Sequence, residues 1–312
     1  MNPTEEYKKF GTTDILMIMV ILFWALNFSF LKIVFREMAP LGFNGIRMLL
    51  ASLVLILILL FKGENLKIER KDFWILVGLG VCGNTVFQLL FIHGLDLTTA
   101  SNSSIIVALA PALIALLSSF LKHEKLHMLA WAGIVLSFVG FYLVISIKSG
   151  GVQFSRQSLQ GDLLVFCGNI FWAIYTVFSK PMLNRISPLK FAALTMSFGT
   201  FFYLPFCVKD MMDISFEAIS VRVWAILLYS AIFSLVIPYI VWYASVKRVG
   251  NSKTAIYDNL IPVLTILFAY MLLDERITPV QAVGTVVILA GVYLTRSGYH
   301  RFIKQERRKS QA

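Results

Sequence analysis

Charge is scarce in this sequence. Only 14% of its 312 residues are Asp, Glu, Lys or Arg, about half the share a soluble globular chain uses to cover its surface. Histidine and cysteine are scarce as well. His93, His123, His127 and His300 form no HExxH pattern and no ligand spacing, and Cys82, Cys167 and Cys207 lie inside apolar segments with neither metal-site nor disulfide spacing. No metal site and no cofactor is expected from these residues. There is no Walker motif, which argues against direct drive by ATP. Gly78-Leu79-Gly80-Val81-Cys82-Gly83 does match GxGxxG. No strand precedes it and no βαβ unit surrounds it, so it reads as the close-packing face of a helix.

What the sequence has in abundance is apolar residues, 58% of the chain, with a mean hydropathy of +0.78. They come in blocks of about twenty, the length that crosses a bilayer as a helix. The pattern predicts an all-α membrane protein with ten spans, near 14–34, 41–61, 73–92, 100–121, 128–147, 161–182, 188–208, 223–244, 252–273 and 279–297. Glu5, Glu6, Lys8 and Lys9 precede the first block and no small-residue cleavage site follows, so that block is expected to be retained as a span. The net charge of +11 does not point to nucleic acid, because the basic residues sit at the ends of apolar blocks. With the N-terminus inside, twenty Lys and Arg fall on the inner side and seven on the outer, Arg47 being within a span. This asymmetry places both termini in the cytoplasm, which requires an even number of spans.

The chain also matches itself. Phe23-Trp24-Ala25 recurs as Phe171-Trp172-Ala173, Lys32 as Lys180, Pro40-Leu41 as Pro188-Leu189 and Asp14 as Asp162, all displaced by 148 positions. Pro111, Glu124, Gly133, Gly140 and Tyr142 recur as Pro262, Glu275, Gly284, Gly291 and Tyr293, displaced by 151. Five spans is an odd number, so the second copy must enter the membrane from the opposite side. Two inverted five-helix repeats suit a transporter, whose halves exchange conformations to open the cavity alternately to each side.

These residues carry a resemblance. Trp24, Asn27, Lys32, Pro40 and Arg47 open the first copy. Pro111 with Glu124-Lys125-Leu126, Gly133 and Gly140 closes it, and Pro262 with Glu275-Arg276-Ile277, Gly284 and Gly291 closes the second. Both halves resemble the EamA-type repeat of the drug/metabolite transporter superfamily, over essentially the whole chain. The expected organisation is a first repeat over 10–147, a linker over 148–160, a second repeat over 161–297 and a basic cytoplasmic tail over 298–312. The resemblance implies helices around a central cavity and outward movement of amino acids, related metabolites or drugs. The second copy has Thr195 where the first has Arg47, so any role of that arginine is one-sided.

Asp258 is the sharpest candidate for chemistry. It is expected about six residues into the ninth span, roughly 9 Å along the axis, where an ionised carboxylate costs about 2.5–3.5 kcal/mol and so faces a cavity or a partner. There it can serve a proton-coupled cycle, or instead pair with Lys247 or Lys253 near the interface. Pro262 cannot donate to the carbonyl of Asp258, which leaves that oxygen free. Thr254 and Thr265 share its helix face, Asn259 stands beside it, and the first copy has Val107 in its place. Arg47 is read either as paired, with Glu37 or a loop carbonyl, or as a contact for substrate. Lys32 and Lys180 either attract an anionic group or snorkel to the interface. Trp24 and Asn27, Asn84 and Gln88, Asn102 and Ser103, Trp172 and Tyr175, and Tyr239 and Tyr243 recur at helical spacing. They could line a cavity for a zwitterion or aromatic metabolite or bond neighbouring helices. Glu124 and Glu275 are read as structural, each bonding free amides at a helix N-terminus.

The expectation is therefore a secondary transporter exporting small metabolites, not an enzyme, with a small-molecule substrate and the lipid bilayer as partners. The compact loops fit a bacterial inner membrane. An importer of sugar or nucleotide-sugar type, an intramembrane acyl- or prenyl-transferase, and a channel are the alternatives. The transferase would need a clustered acid or histidine motif and the channel a repeated pore loop, and the sequence has neither.

Overall fold

The computed structural model describes residues 11–120, 128–146, 156–215, 217 and 219–311. They are mostly helical, and no strand occurs among them. In chain order the helices are α1 (Thr12–Val34), α2 (Pro40–Phe61), α3 (Arg70–Leu97), α4 (Ala100–Phe120), α5 (Met128–Ser146), α6 (Arg156–Leu183), α7 (Pro188–Met212), α8 (Val221–Val249), α9 (Ile261–Leu273) and α10 (Pro279–Gln311). A helical turn at Asn251–Thr254 and a tight 3-10 stretch at Ala255–Leu260 lead into α9. Seven helices, α1–α4 and α6–α8, are long and apolar enough to cross a membrane. The expected fifth, ninth and tenth spans fall on shorter apolar stretches, Met128–Val144, Tyr257–Leu273 and Pro279–Thr295.

The burial pattern is that of a multi-pass membrane protein. Large apolar side chains point outward from the middle of helices, such as Leu53 at 56% exposure and Val286 at 65%. Polar and charged ones point inward, among them Asn27, Arg47, Asn84, Gln88, Asp162 and Asp258. In water this arrangement would be unstable. In hydrocarbon the exposed faces cost nothing, and each buried polar group must find its partner within the bundle.

Two pairs of local features stand at matching places along the chain. α3 widens into a π segment at Val81–Val86 and α8 does so at Ser230–Val236, its first residue 149 positions later. α4 breaks at Ala108–Leu109 just ahead of Pro111, and the 3-10 stretch ends just ahead of Pro262. Proline removes the i→i−4 donor in both. At Pro111 the loss is repaired by another helix, because Asn169 Nδ2 donates to Ile106 O at 3.0 Å and Val107 O at 3.3 Å. The carbonyl of Asp258 is not left free, contrary to the expectation. The 3-10 geometry brings the backbone N–H of Ile261 to it.

α5 and α10 pack along a glycine seam. A Cβ on Gly140 would lie 2.7 Å from Ile288 N and 2.8 Å from Gly284 O, and one on Gly291 would lie 2.6 Å from Gly133 O. The expected close-packing face of α3 is real at Gly80, against Thr195 O, and at Gly83, against the Tyr175 ring. Gly78 has nothing within 4 Å.

Helix ends are tied across the chain. Glu275 follows α9 and, as expected, bonds free amides, but those of α4 rather than of the next helix. Ala100 N donates to its Oε1 and Ser101 N to its Oε2, both at 3.0 Å, and Ser101 Oγ donates at 2.7 Å. Its counterpart Glu124 lies outside the described residues. Lys32 Nζ donates to Leu95 O, Asp96 O and Thr98 O at 2.9–3.1 Å, engaging the carbonyl end of α3. Lys180 is exposed. Elsewhere Arg185 pairs with Asp72, Ser187 Oγ donates to Glu64 at 2.5 Å, and Lys190 Nζ donates to Lys67 O at 2.7 Å, joining the α6–α7 turn to the α2–α3 loop.

Candidate functional site

A central cavity of about 600 Å³, counting the part open to the outside, lies between α1, α2, α3, α4, α6, α8 and the approach to α9. α1 contributes Trp24, Asn27 and Phe28 from one face, and α6 contributes Asn169 and Trp172. Trp24 and Trp172 hold matching places in the two halves and meet edge to face at 6.1 Å. Trp242 packs behind both, at 5.4 and 5.8 Å. Phe87 and Tyr239 extend the aromatic wall to either side of Trp172, at 5.3 and 5.8 Å. The Trp24 indole is fixed by a bond from Nε1 to Ser234 O at 2.9 Å.

Two charged residues face this aromatic chamber. Arg47, in the second turn of α2, is 2% exposed. It is not paired with Glu37, as one reading expected; Glu37 accepts instead from Ser220 N at 3.4 Å. Its Nη1 donates to Ser230 Oγ at 2.8 Å and its Nη2 to Gln88 Oε1 at 3.2 Å, and Ser230 Oγ donates on to Asn27 Oδ1 at 2.6 Å. All these partners are neutral. The π segment of α8 supplies Ser230, and Gln88 follows the π segment of α3. The wide turns thus place both partners of the guanidinium.

Asp258, in the 3-10 stretch, is 2% exposed, and its Oδ1 has no partner. It does not pair with Lys247, whose Nζ donates to Ile186 O at the surface. The side chain of Lys253 lies outside the described residues. Thr254 and Thr265, expected on the same face, are buried but engaged elsewhere. Thr254 shares a bond with Ser245 Oγ at 2.9 Å, and Thr265 donates to Ala25 O at 3.3 Å.

The structure gathers Trp24, Asn27, Arg47, Gln88, Trp172, Tyr239 and Asp258 around one cavity and leaves five other candidates off its lining. Asn84 donates to Tyr175 OH at 3.4 Å, and Tyr175 shares a bond with Thr195 Oγ1 at 2.7 Å. Tyr175 and Tyr243 form a packed aromatic layer with Phe191, their rings 4.7–5.8 Å apart. Asn102 belongs to a distant polar cluster, donating to Asp162 and accepting from Gln281 Nε2 at 2.6 Å. Asn259 is half-buried beside Asp258 with an unpartnered Oδ1. Sequence reasoning missed Asn169, although its position three residues before Trp172 puts it on the same helix face. It also missed Phe28, Phe87 and Phe91, which nothing distinguishes from other membrane phenylalanines. Among the described residues, no group of three or more His, Cys, Asp or Glu could hold a metal ion.

Comparison with known proteins bears on what such a cavity does. The family model for EamA-like transporters matches the chain twice, over residues 11–146 and 159–297. An uncharacterized transporter of Archaeoglobus fulgidus is 31% identical, the match covering 93% of this chain and 99% of the relative. The uncharacterized transporter YyaM of Bacillus subtilis is 29% identical over 93% of this chain and 95% of its own. A probable amino-acid metabolite efflux pump of Escherichia coli is 25% identical over 91% and 94%. A solved crystal structure superposes with a TM-score of 0.68 at 18% identity, covering 93% of this chain and 98% of its own.

Proposed function

The chain belongs to the EamA-like transporter family, and from that premise we propose that it is a secondary transporter exporting small metabolites by alternating access. One observation carries this reading. A cavity walled by aromatic rings lies at the meeting of the chain's two matching halves, faced by one buried arginine and one buried aspartate. The matched π segments, the matched proline breaks and the glycine seam support ten spans in two inverted repeats. Lys and Arg placement supports cytoplasmic termini, and the compact loops favour a bacterial inner membrane.

Trp24, Trp172 and Tyr239 would hold the apolar part of the cargo. Arg47, set by Gln88 and Ser230, would hold an acceptor group. Asp258 would couple cargo movement to a proton. Amino acids and related compounds are the first cargo to test, since one relative is named as a probable amino-acid metabolite efflux pump. The test is overexpression, metabolite profiling of cells and medium, then flux of the best candidate in liposomes. Net uptake would favour a sugar or nucleotide-sugar importer, and turnover without flux would overturn transport altogether.

A further inference from the structure

We infer that the cavity binds a monovalent alkali cation, sodium, between Asp258 and Asn169. Its physiological meaning rests on the transport reading above, in which sodium and a proton compete for the one Asp258 carboxylate, but its chemistry does not.

The inference starts from an amide whose orientation is fixed. Residue 111 is proline, so the carbonyl of Val107 has lost its helical donor. Asn169 Nδ2 supplies one, at 3.3 Å, while also donating to Ile106 O at 3.0 Å. With the nitrogen committed to two carbonyls, the oxygen of the same amide must face away from them. Asn169 is fully buried, and its Oδ1 has no partner. Asp258 Oδ1 is in the same position, buried and unpartnered. Asn169, Asp258 and Val107 line one cavity. In the repeat, Val107 and Asp258 are equivalent positions, 151 apart. The site therefore sits where the two broken helices face each other.

Two orphaned acceptors on one cavity call for a donor or a cation. One water can donate to both oxygens, and that is the alternative the test below distinguishes. A metal ion also answers both, and carboxylate and amide oxygens are the ligands hard cations take. The charge selects a monovalent ion. Among the described lining residues Asp258 is the only acidic side chain, and Arg47 of α2 already puts a positive charge there. The other facing elements do not change this balance. Tyr239 is the ionisable group that α8 brings to the lining, α4 and α6 bring none, and Asp14 of α1 is held by Tyr257 and Gly11 N. Irregular helix interiors that line a cavity are also where membrane proteins place alkali ions.

The test is thermal unfolding of the purified full-length protein in detergent, without cargo, at one pH and ionic strength, with NaCl replacing choline chloride stepwise. The expected result is a rise in Tm that saturates with sodium in the wild type, is retained in part by Asp258→Glu and is lost in Asp258→Asn. Equal Tm in both salts for the wild type, or a rise undiminished in Asp258→Asn, overturns the proposal. Should Asp258→Asn fail to fold, equilibrium binding of radioactive sodium to the wild type decides. Saturable binding displaced by unlabelled sodium and not by choline supports the site, and no saturable binding refutes it. None of these readings needs flux, so their failure leaves the transport reading standing. Absence of flux with sodium bound would remove only that reading.

Discussion

Glu275→Gln is expected to loosen the connection between the two halves of the chain. The carboxylate accepts two backbone amides and a hydroxyl at the first turn of α4, at 3.0, 3.0 and 2.7 Å. Hydrogen bonds to a charged group contribute roughly 1.5–3 kcal/mol each, and the N-terminus of α4 favours a negative charge by a further ~0.3–1 kcal/mol. Glutamine keeps one accepting oxygen, but its NH2 group must face a backbone N–H that is itself a donor. The net cost should be about 2–4 kcal/mol, allowing for the half-exposed position. For a chain of this size that lowers Tm by roughly 3–6 °C. The assay is unfolding in detergent at one scan rate, because membrane proteins unfold irreversibly. Glu275→Asp keeps the charge but loses reach, so it should fall between. Combined with Ser101→Ala, Glu275→Gln should lower Tm by less than the sum of the two single shifts. If Glu275→Gln melts within about a degree of wild type, the clamp is an ornament and the reasoning fails.

Other perturbations have equally definite outcomes. Asp258→Asn should abolish flux driven by a pH gradient while sparing exchange of cargo for cargo, and unchanged pH dependence in liposomes would end its coupling role. Arg47→Lys should weaken cargo binding about tenfold, measured as KM against kcat, because an ammonium cannot span Ser230 and Gln88 as the guanidinium fork does. Gly140→Ala puts a methyl against Ile288 and Gly284. It should cost about 1–3 kcal/mol by overpacking, and an unchanged Tm would mean that α5 and α10 do not meet there.

The helices were legible in the sequence because hydrocarbon leaves the backbone few choices. Runs of apolar residues near span length had to be helical, and their ends follow from Pro40, Pro188 and the polar joints. The cavity was legible where bulky or charged residues stand out against an apolar background, as Trp24, Trp172, Arg47 and Asp258 do. It was not legible where a residue's partner decides its role. Asn84 and Asn102 have the same chemistry as Asn27, yet Tyr175 and Asp162 claim them. Arg47 reaches Ser230 across 183 positions of chain, a pairing that spacing cannot announce. The π segments left no trace in the apolar periodicity, because one added residue shifts a helix face without changing its composition.

Those π segments set a limit on how the chain can change. Each winds one more residue into a turn than its neighbours do. Everything after it, Gln88 in α3 and Tyr239 in α8, is turned from the direction an unbroken helix would give. Deleting one residue at either place would restore an ordinary helix with the rest in its present direction. Straightening the segment with every residue kept would instead rotate the rest of that helix by about 100°, turning Gln88 or Tyr239 away from the cavity. A sequence can thus keep every apolar block, pass any test of hydropathy, and lose the cavity through the winding of a single turn.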